Sequence, residues 1–261
     1  MSNGIKVKKR NGRGTESLNL EKMHVMVEQA CEGLAGVSAS QVEINSGIQF
    51  YDGITTQEIQ EILIRSASDL IDLDHPNYQF VAARLLLFAL RKQLFGRMHD
   101  IPDIKDHVAK CVGKGVYDSE LLDLYSDEEY NKLQTFIDHE RDFLFTYAGL
   151  RQVVDKYLVQ DRSDGAVYET PQFMYMLIAA SIFSKYPKET RLDYVRRYYD
   201  AISKHRINIP TPIMAGVRTP IRQFASCVLV DIDDTLDSIF SSDVAIGKYV
   251  AQRAGIGINA G

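Results

Sequence analysis

Helix-forming patterns run through most of this chain and constrain its fold more than any other feature. Residues 20–34 carry apolar side chains at helical spacing, and the glycine at position 33 or 36 can end that segment. Residues 55–58 and 126–129 are capping boxes, in which a hydroxyl and a glutamate satisfy backbone N–H groups at a helix start. The sequence therefore predicts a mainly helical protein.

Further helices, a hairpin and a turn are predicted from weaker patterns in the sequence. Four more helices are predicted, over residues 75–96, 104–112, 170–186 and 189–204. Ahead of them, a glycine-containing turn at residues 11–14 joins two short segments, 5–10 and 15–20, as a β-hairpin. A second turn is predicted at residues 161–165, between two short extended pieces.

The pattern changes after residue 206. Residues 207–213 and 224–232 are apolar and rich in β-formers, which predicts extended chain, and Asp234 and Thr235 cap a helix that runs to about residue 253. This order, followed by a glycine loop, predicts the beginning of an α/β core. Residues 96–102 combine a helix stop, charge and a proline and form the best candidate domain boundary.

Composition excludes several classes of protein. The net charge is −5 and no arginine-rich tract stands apart, which argues against a nucleic-acid partner. The longest apolar stretches, at 81–90 and 174–183, fall short of the roughly 20 residues that span a bilayer, so no membrane association is expected. The polar first 14 residues contain no secretory signal, and a cytoplasmic protein is expected.

The three cysteines do not form a recognisable disulfide or metal motif. Their number is odd and no C-x-x-C pair occurs, so no structural disulfide and no metal bound by this chain's own residues are expected. Cys31 and Cys111 lie in amphipathic helical stretches and are interpreted as small buried apolar residues.

Three motifs near the end of the sequence occur together in one known family. They are Thr211-Pro-Ile-Met, Arg222-Gln-Phe-Ala-Ser-Cys227 and Arg253-Ala-Gly-Ile-Gly-Ile-Asn-Ala-Gly261. In this order they resemble the substrate end of class I ribonucleotide reductase large (alpha) subunits. The resemblance covers essentially all of the chain, but about the first third of a usual large subunit.

The resemblance implies a fold that is mainly α with an α/β start. Residues 1–96 resemble an ATP-cone, a β-hairpin plus a four-helix bundle. Residues 97–206 resemble the helical domain of the large subunit, and residues 207–261 the first strands of a ten-stranded α/β barrel, which would be incomplete here.

The family's chemistry assigns roles to particular residues. Cys227 resembles the redox-active cysteine that reduces the ribose 2′ carbon and pairs with a cysteine outside this chain, although a lone cysteine in an apolar strand is usually core filling. The implied substrate-binding residues are Thr211, which resembles the threonine near the substrate phosphate, Ser226, Ala254 and Gly255. The implied site for the specificity effector is Asp234, Thr235 and Leu236, where an ordinary helix N-cap is the alternative.

An ATP or dATP activity site is implied in the hairpin and the helices after it. Its residues are Lys9, Glu16, Ser17, Leu18, Asn19, Leu20, Glu21, Lys22, Thr56 and Lys92. Ammonium groups and amides at a helix start suit a triphosphate, but lysines in a surface hairpin are more often a solvated face. Gln60 departs from the histidine common in members that dATP inhibits, which implies an altered or lost inhibitory response.

The resemblance also implies partners and cofactors. Expected are dNTP effectors with Mg²⁺, a nucleoside diphosphate substrate, thioredoxin or glutaredoxin as reductant, and a radical-generating small subunit that holds a metal cofactor. Two explanations are open for the remaining catalytic residues. Either the gene is naturally split and a complementary C-terminal large-subunit fragment supplies them, or the sequence is partial; we favour the split subunit. The alternative function is a non-catalytic nucleotide-binding regulatory or scaffold protein.

Overall fold

The computed structural model describes residues 4–9, 14–161, 163–252 and 254–260. They divide into two compact units. The first comprises Met1–Ile101 and Asp138–Asp155, and the second comprises Pro102–Ile137 and Lys156–Gly261. Residues 138–155 thus belong to the first unit although they follow part of the second in the sequence.

The first unit consists of a β-hairpin followed by helices. Its elements are β1 (Lys6–Lys8), β2 (Thr15–Ser17), α1 (Leu20–Cys31), α2 (Ala39–Gly47), α3 (Thr56–Ser68), α4 (Tyr78–Phe95), the 3-10 helix His139–Leu144 and the helix Tyr147–Gln152. The strands are antiparallel, with Lys6 opposite Ser17. The hairpin prediction is thus confirmed, although its turn lies outside the described residues apart from Gly14.

Local sequence signals explain where these helices begin and end. The capping box at the start of α3 forms as predicted, with Thr55 and Glu58 each bonding the other's backbone N–H. At the end of α4, Gly96 has a φ of 83°, the left-handed conformation that glycine adopts without strain. The middle of α4 supplies much of the core, including the fully buried Val81, Leu85 and Leu87.

The second unit is helical for most of its length. The helices of the second unit are α5 (Ile104–Gly113), α6 (Asp127–Phe136), α8 (Pro171–Phe183), α9 (Lys188–Ser203), α10 (Thr211–Gly216) and α11 (Leu236–Ala251), with a 3-10 turn at Ser119–Leu122. The helix Tyr147–Gln152 of the first unit is α7, and a π-helical stretch at Val153–Tyr157 follows it. The capping box of α6 at Ser126 and Glu129 is confirmed. So is the start of α8, where Thr170 accepts a hydrogen bond from the Phe173 amide and Pro171 occupies the first turn.

The extended conformation predicted for residues 207–213 is wrong in its second half. α10 begins at Thr211, with Pro210 in extended backbone as the preceding cap and Pro212 in the first turn. Proline is favoured in a helix's first turn because the missing N–H has no partner there, and this outweighs the apolar, β-rich composition.

The last part of the chain is a β-α-β unit. The strands β3 (Cys227–Ile232) and β4 (Gly255–Ala260) are parallel, with Cys227 opposite Gly255, and α11 connects them. Within the described residues, each pairs only with the other. Leu229 on β3 is 86% exposed, so this small sheet has an uncovered apolar side chain.

The predicted glycine loop at residues 254–257 is also wrong, because Gly255 and Gly257 belong to β4. A Cβ on Gly255 would lie 3.2 Å from the Ser226 carbonyl oxygen, and one on Gly257 would lie 2.6 Å from a Leu229 methyl carbon. The glycines let the two strands approach closely.

Candidate functional site

A cleft of about 600 Å³ lies beside α1 in the first unit. Four of the ten predicted activity-site residues line it: Asn19, Glu21, Lys22 and Lys92. Arg97 also lines the cleft, so its lining includes two lysines, one arginine and one glutamate. Excess positive charge next to the first turn of a helix suits a polyphosphate anion.

Asn19 positions the start of α1 at this cleft. Its side-chain oxygen accepts a hydrogen bond from the Lys22 backbone N–H at 2.9 Å, the ordinary bond of an N-cap. The cap fixes the first turn of the helix and therefore the place from which the Lys22 side chain leaves the backbone.

The other six predicted residues do not line the cleft: Lys9, Glu16, Ser17, Leu18, Leu20 and Thr56. Lys9 and Glu16 form an exposed ion pair with 2.7 Å between Nζ and Oε2, and the hydrogen bond from Lys9 lowers the pKa of the Glu16 carboxyl. Thr56 is the first residue of α3. The Lys8 amide donates to the Ile54 carbonyl at 2.9 Å, so the hairpin runs alongside the segment that leads into Thr56.

Gln60 is buried at the cleft wall, 4% exposed, with its Nε2 3.8 Å from the Met26 sulfur. The sequence prediction missed several other wall residues: Val25, Met26, Gln29, Arg97, Met98 and His99. Val25, Met26 and Gln29 follow Lys22 on one face of α1, and this helical spacing could have predicted that they share a wall with Lys22.

The start of the β-α-β unit brings together four predicted catalytic and substrate residues: Ser226, Cys227, Ala254 and Gly255. Cys227 and Gly255 are opposite each other in the strand pair, and the Gly255 amide donates to the Ser226 carbonyl at 2.8 Å. The Ser226 Oγ lies 3.9 Å from the Cys227 Sγ. Cys227 is exposed, so its thiol is not core filling. Cys111, in contrast, is buried as predicted, and burial raises the pKa of its thiol to about 12.

Thr211 lies at the first residue of α10, with its Oγ1 3.4 Å from the Tyr157 hydroxyl. A buried ion pair joins Arg218, just after this helix, to Glu169, and both side chains are 0% exposed. Burial opposes the charge of Arg218, but the Glu169 carboxylate outweighs it and raises the pKa of the guanidinium. The sequence prediction missed this pair, because 49 residues separate its members.

The predicted effector-specificity residues begin α11. Thr235 is its N-cap and accepts a hydrogen bond from the Ser238 amide at 3.2 Å, so the ordinary capping interpretation is confirmed for that residue. Asp234 and Leu236 are exposed beside it. A role in effector binding stays a prediction.

Two negative findings apply to the described ranges only. No group of three or more histidine, cysteine, aspartate or glutamate side chains there is arranged to hold a metal ion. Nor does any helix in that part of the chain combine the length and apolar content needed to cross a membrane.

Comparison with known protein families matches part of each unit. Residues 5–93 match the ATP cone domain, and residues 143–222 match the all-alpha domain of ribonucleotide reductase. An ATP cone domain followed by a ribonucleotide reductase all-alpha domain is thus the order of modules that these matches give the chain.

Individual relatives sharpen this assignment. The chain is 55% identical over 261 residues to ribonucleoside-diphosphate reductase 1 subunit alpha of Escherichia coli (strain K12), covering all of this chain and 34% of that protein. It is 56% identical over 261 residues to the alpha subunit of Haemophilus influenzae, again covering all of this chain and 34% of the relative. With the alpha subunit of Enterobacteria phage T4 it shares 45% identity over 249 residues, 95% of this chain and 32% of the relative.

The chain thus spans about a third of the length of the curated relatives it matches. It is homologous to the N-terminal region of ribonucleoside-diphosphate reductase alpha subunits. The family resemblance inferred from the sequence motifs is confirmed.

Proposed function

We propose that this chain forms the N-terminal part of an enzyme that reduces ribonucleoside diphosphates to deoxyribonucleoside diphosphates in the cytoplasm. The observation that carries the proposal is the exposed Cys227 thiol at the start of β3, beside Ser226 and opposite Gly255. A sugar can reach the thiol because Cys227 is exposed, and the Ser226 hydroxyl can hydrogen-bond ribose or phosphate oxygens.

In this proposal, Cys227 supplies one of two thiols that become a disulfide in each turnover. The two thiols give up two electrons and two protons, and the ribose 2′ hydroxyl leaves as water. The residues that generate and hold the substrate radical would lie in alpha-subunit polypeptide beyond the matched third. The β3–β4 pair would be the first strands of the catalytic barrel, and the metal cofactor that starts the radical would belong to a separate small subunit.

The cone supports the regulatory half of the proposal. The cleft beside α1 offers Lys22, Lys92 and Arg97 to a nucleotide triphosphate carried with Mg²⁺. Gln60 forms part of the wall where the imidazole of dATP-inhibited relatives is expected, so we propose that ATP and dATP bind but that dATP inhibits weakly or not at all. Asp234, Thr235 and Leu236 are proposed to receive the specificity effector.

The test is Cys227→Ser in the enzyme assembled from this chain, the remaining alpha-subunit polypeptide and the radical-generating subunit. Thioredoxin-dependent reduction of a nucleoside diphosphate should fall below detection, because serine cannot form the disulfide. Cys31→Ser is the matched control, since Cys31 is a partly buried free thiol in the other unit, and it should keep activity. Full activity in the Cys227 variant would overturn the proposal.

A second candidate function is nucleotide binding without catalysis. The observation that favours it is the location of the effector cleft, which lies within one compact unit that contains none of the proposed catalytic residues. If Cys227→Ser left activity unchanged while ATP still bound, this function would replace the first.

A further inference from the structure

The buried ion pair behind Thr211 links three segments of the second unit. Arg218 Nε donates to Glu169 Oε2 at 2.8 Å, and a second nitrogen of the same guanidinium donates to the Tyr157 carbonyl at 2.9 Å. The third nitrogen donates to the Met214 carbonyl in α10. One side chain thus fixes α10 against the Tyr157 backbone.

Glu169 is held as firmly as Arg218. Its Oε1 accepts from the Val159 amide at 2.7 Å and its Oε2 from the Tyr117 hydroxyl at 2.6 Å. A buried carboxylate with this many donors is fully satisfied and has one stable orientation. The whole network is therefore rigid rather than adaptable.

Tyr157 connects the rigid network to the predicted substrate residue. Its carbonyl is fixed by Arg218, and its hydroxyl lies 3.4 Å from Thr211 Oγ1 at the start of α10. α10 is thereby held near its end through Met214 and at its beginning through Thr211. The Tyr157 side chain also lines a cavity of about 280 Å³.

The chemistry of a phosphate ligand decides the direction of the Tyr157–Thr211 hydrogen bond. An ionised phosphate oxygen only accepts hydrogen bonds, so a threonine that binds it must donate its single hydroxyl proton. Thr211 can then only accept from Tyr157. The phenol would orient the threonine proton toward the ligand, and the present 3.4 Å distance would shorten in the complex, as ligand-dependent bonds often do.

We propose that Tyr157 is a positioning residue for the nucleoside diphosphate. It donates to Thr211 Oγ1 and so directs the Thr211 proton to a phosphate oxygen, while the Arg218–Glu169 pair holds Tyr157 in place. This inference rests on the proposed function, because it takes Thr211 as the phosphate contact.

The test compares Tyr157→Phe with the parent in the assembled enzyme. The substitution removes the hydroxyl and keeps the ring and the carbonyl that Arg218 binds. The KM for the diphosphate should rise about three- to tenfold, the size of one hydrogen bond, while kcat stays within about twofold and the unfolding midpoint is unchanged. Tyr186→Phe, an exposed tyrosine of the same unit, is the control and should change nothing.

A double-mutant cycle separates positioning from a general structural role. Thr211→Val should also raise KM, and adding Tyr157→Phe to it should cause no further rise, because the phenol acts through the threonine. Independent, multiplying effects would overturn the inference, as would an unchanged KM in Tyr157→Phe. An unchanged KM in Thr211→Val would show that Thr211 does not contact the phosphate, and the inference would fail. Activity that survives Cys227→Ser would instead overturn the proposed function.

Discussion

The two units differ in the charged groups around their candidate sites, although each unit also contains a buried ion pair, Arg91–Asp142 in the first and Arg218–Glu169 in the second. In the first, Lys22 and Lys92 are exposed at the rim of a cleft. In the second, Arg218 and Glu169 are 0% exposed and satisfied by each other and by the backbone. Exposed charges lose little hydration until a ligand arrives, whereas buried ones are costly and useful only for holding geometry. We therefore propose that the cations of the cleft recognise a ligand, whereas the buried Arg218–Glu169 pair fixes the fold.

The largest expected effect comes from breaking the buried pair. Glu169→Ala leaves the Arg218 guanidinium buried without its counter-ion, and the free energy of unfolding should fall by about 3–5 kcal/mol. Urea titration of the full chain, followed by a probe in the second unit, measures this. Glu120→Ala is the matched control, because Glu120 pairs with Arg222 where both side chains are nearly half exposed, and it should cost no more than about 1 kcal/mol. Equal losses in the two variants would remove the contrast between buried and exposed charge.

Next in size is the effect of Lys92→Ala on nucleotide binding. Losing one charge-assisted contact to a phosphate should weaken ATP binding on the order of tenfold or more. Equilibrium binding of ATP to the full chain measures this affinity. Arg65→Ala, which removes an exposed cation of the same unit outside the cleft, should leave affinity unchanged. If the two variants weakened binding alike, general electrostatic attraction would explain the result and the cleft would lose its role.

The free energy of unfolding should depend on pH in both units, for the same reason in each. Burial lowers the pKa of His107 in the second unit and of His139 in the first to about 4. Both histidines are neutral when folded but protonate near pH 6.5 when unfolded. Their stabilising contribution is complete above about pH 6.5 and is lost as the pH falls toward 4.

His107→Gln should reduce the pH dependence of the free energy of unfolding for the second unit, whatever its effect on stability at neutral pH. The free energy of unfolding between pH 4 and 7 is the measurement, and His75→Gln is the control because that ring is exposed. The full parental slope in His107→Gln would show that other groups cause the pH dependence.

The smallest effect is expected for Lys9→Ala. Its ion pair with Glu16 is close to half exposed, so the unfolding midpoint should not change measurably. ATP affinity should fall less than in Lys92→Ala, because the Lys9 ammonium must leave Glu16 before it can reach a phosphate. A loss larger than that of Lys92 would move the centre of the nucleotide site from the cleft to the hairpin.

Local signals in the sequence were sufficient wherever a few neighbouring residues decide the structure. The capping boxes at Thr55 and Ser126 and the Thr170-Pro171 start of α8 involve contacts within one helical turn, and all three formed as predicted. Composition alone failed at residues 211–213, where two prolines favour a helix start over the β-rich pattern.

Contacts between distant segments were beyond the reach of the sequence pattern. Arg218 and Glu169 each look like an ordinary surface residue in the sequence, and only the folded second unit brings them together. The wall of the cleft is likewise formed by segments that lie far apart in the sequence, α1 and residues 92–99. Family motifs predicted roles for Cys227 and Thr211, which stay predictions, but did not point to the Tyr157 hydroxyl that lies beside Thr211.

The two-stranded parallel sheet at Cys227–Ile232 and Gly255–Ala260 has a practical consequence for anyone who prepares this polypeptide. Parallel strands are ordinarily covered on both faces, and Leu229 and Ile258 here are 86% and 55% exposed. Chains expressed by themselves would meet copies of one another at these strands and precipitate. If the proposed function holds, co-expression with the remaining alpha-subunit polypeptide should therefore give higher yields than mixing the purified pieces afterwards.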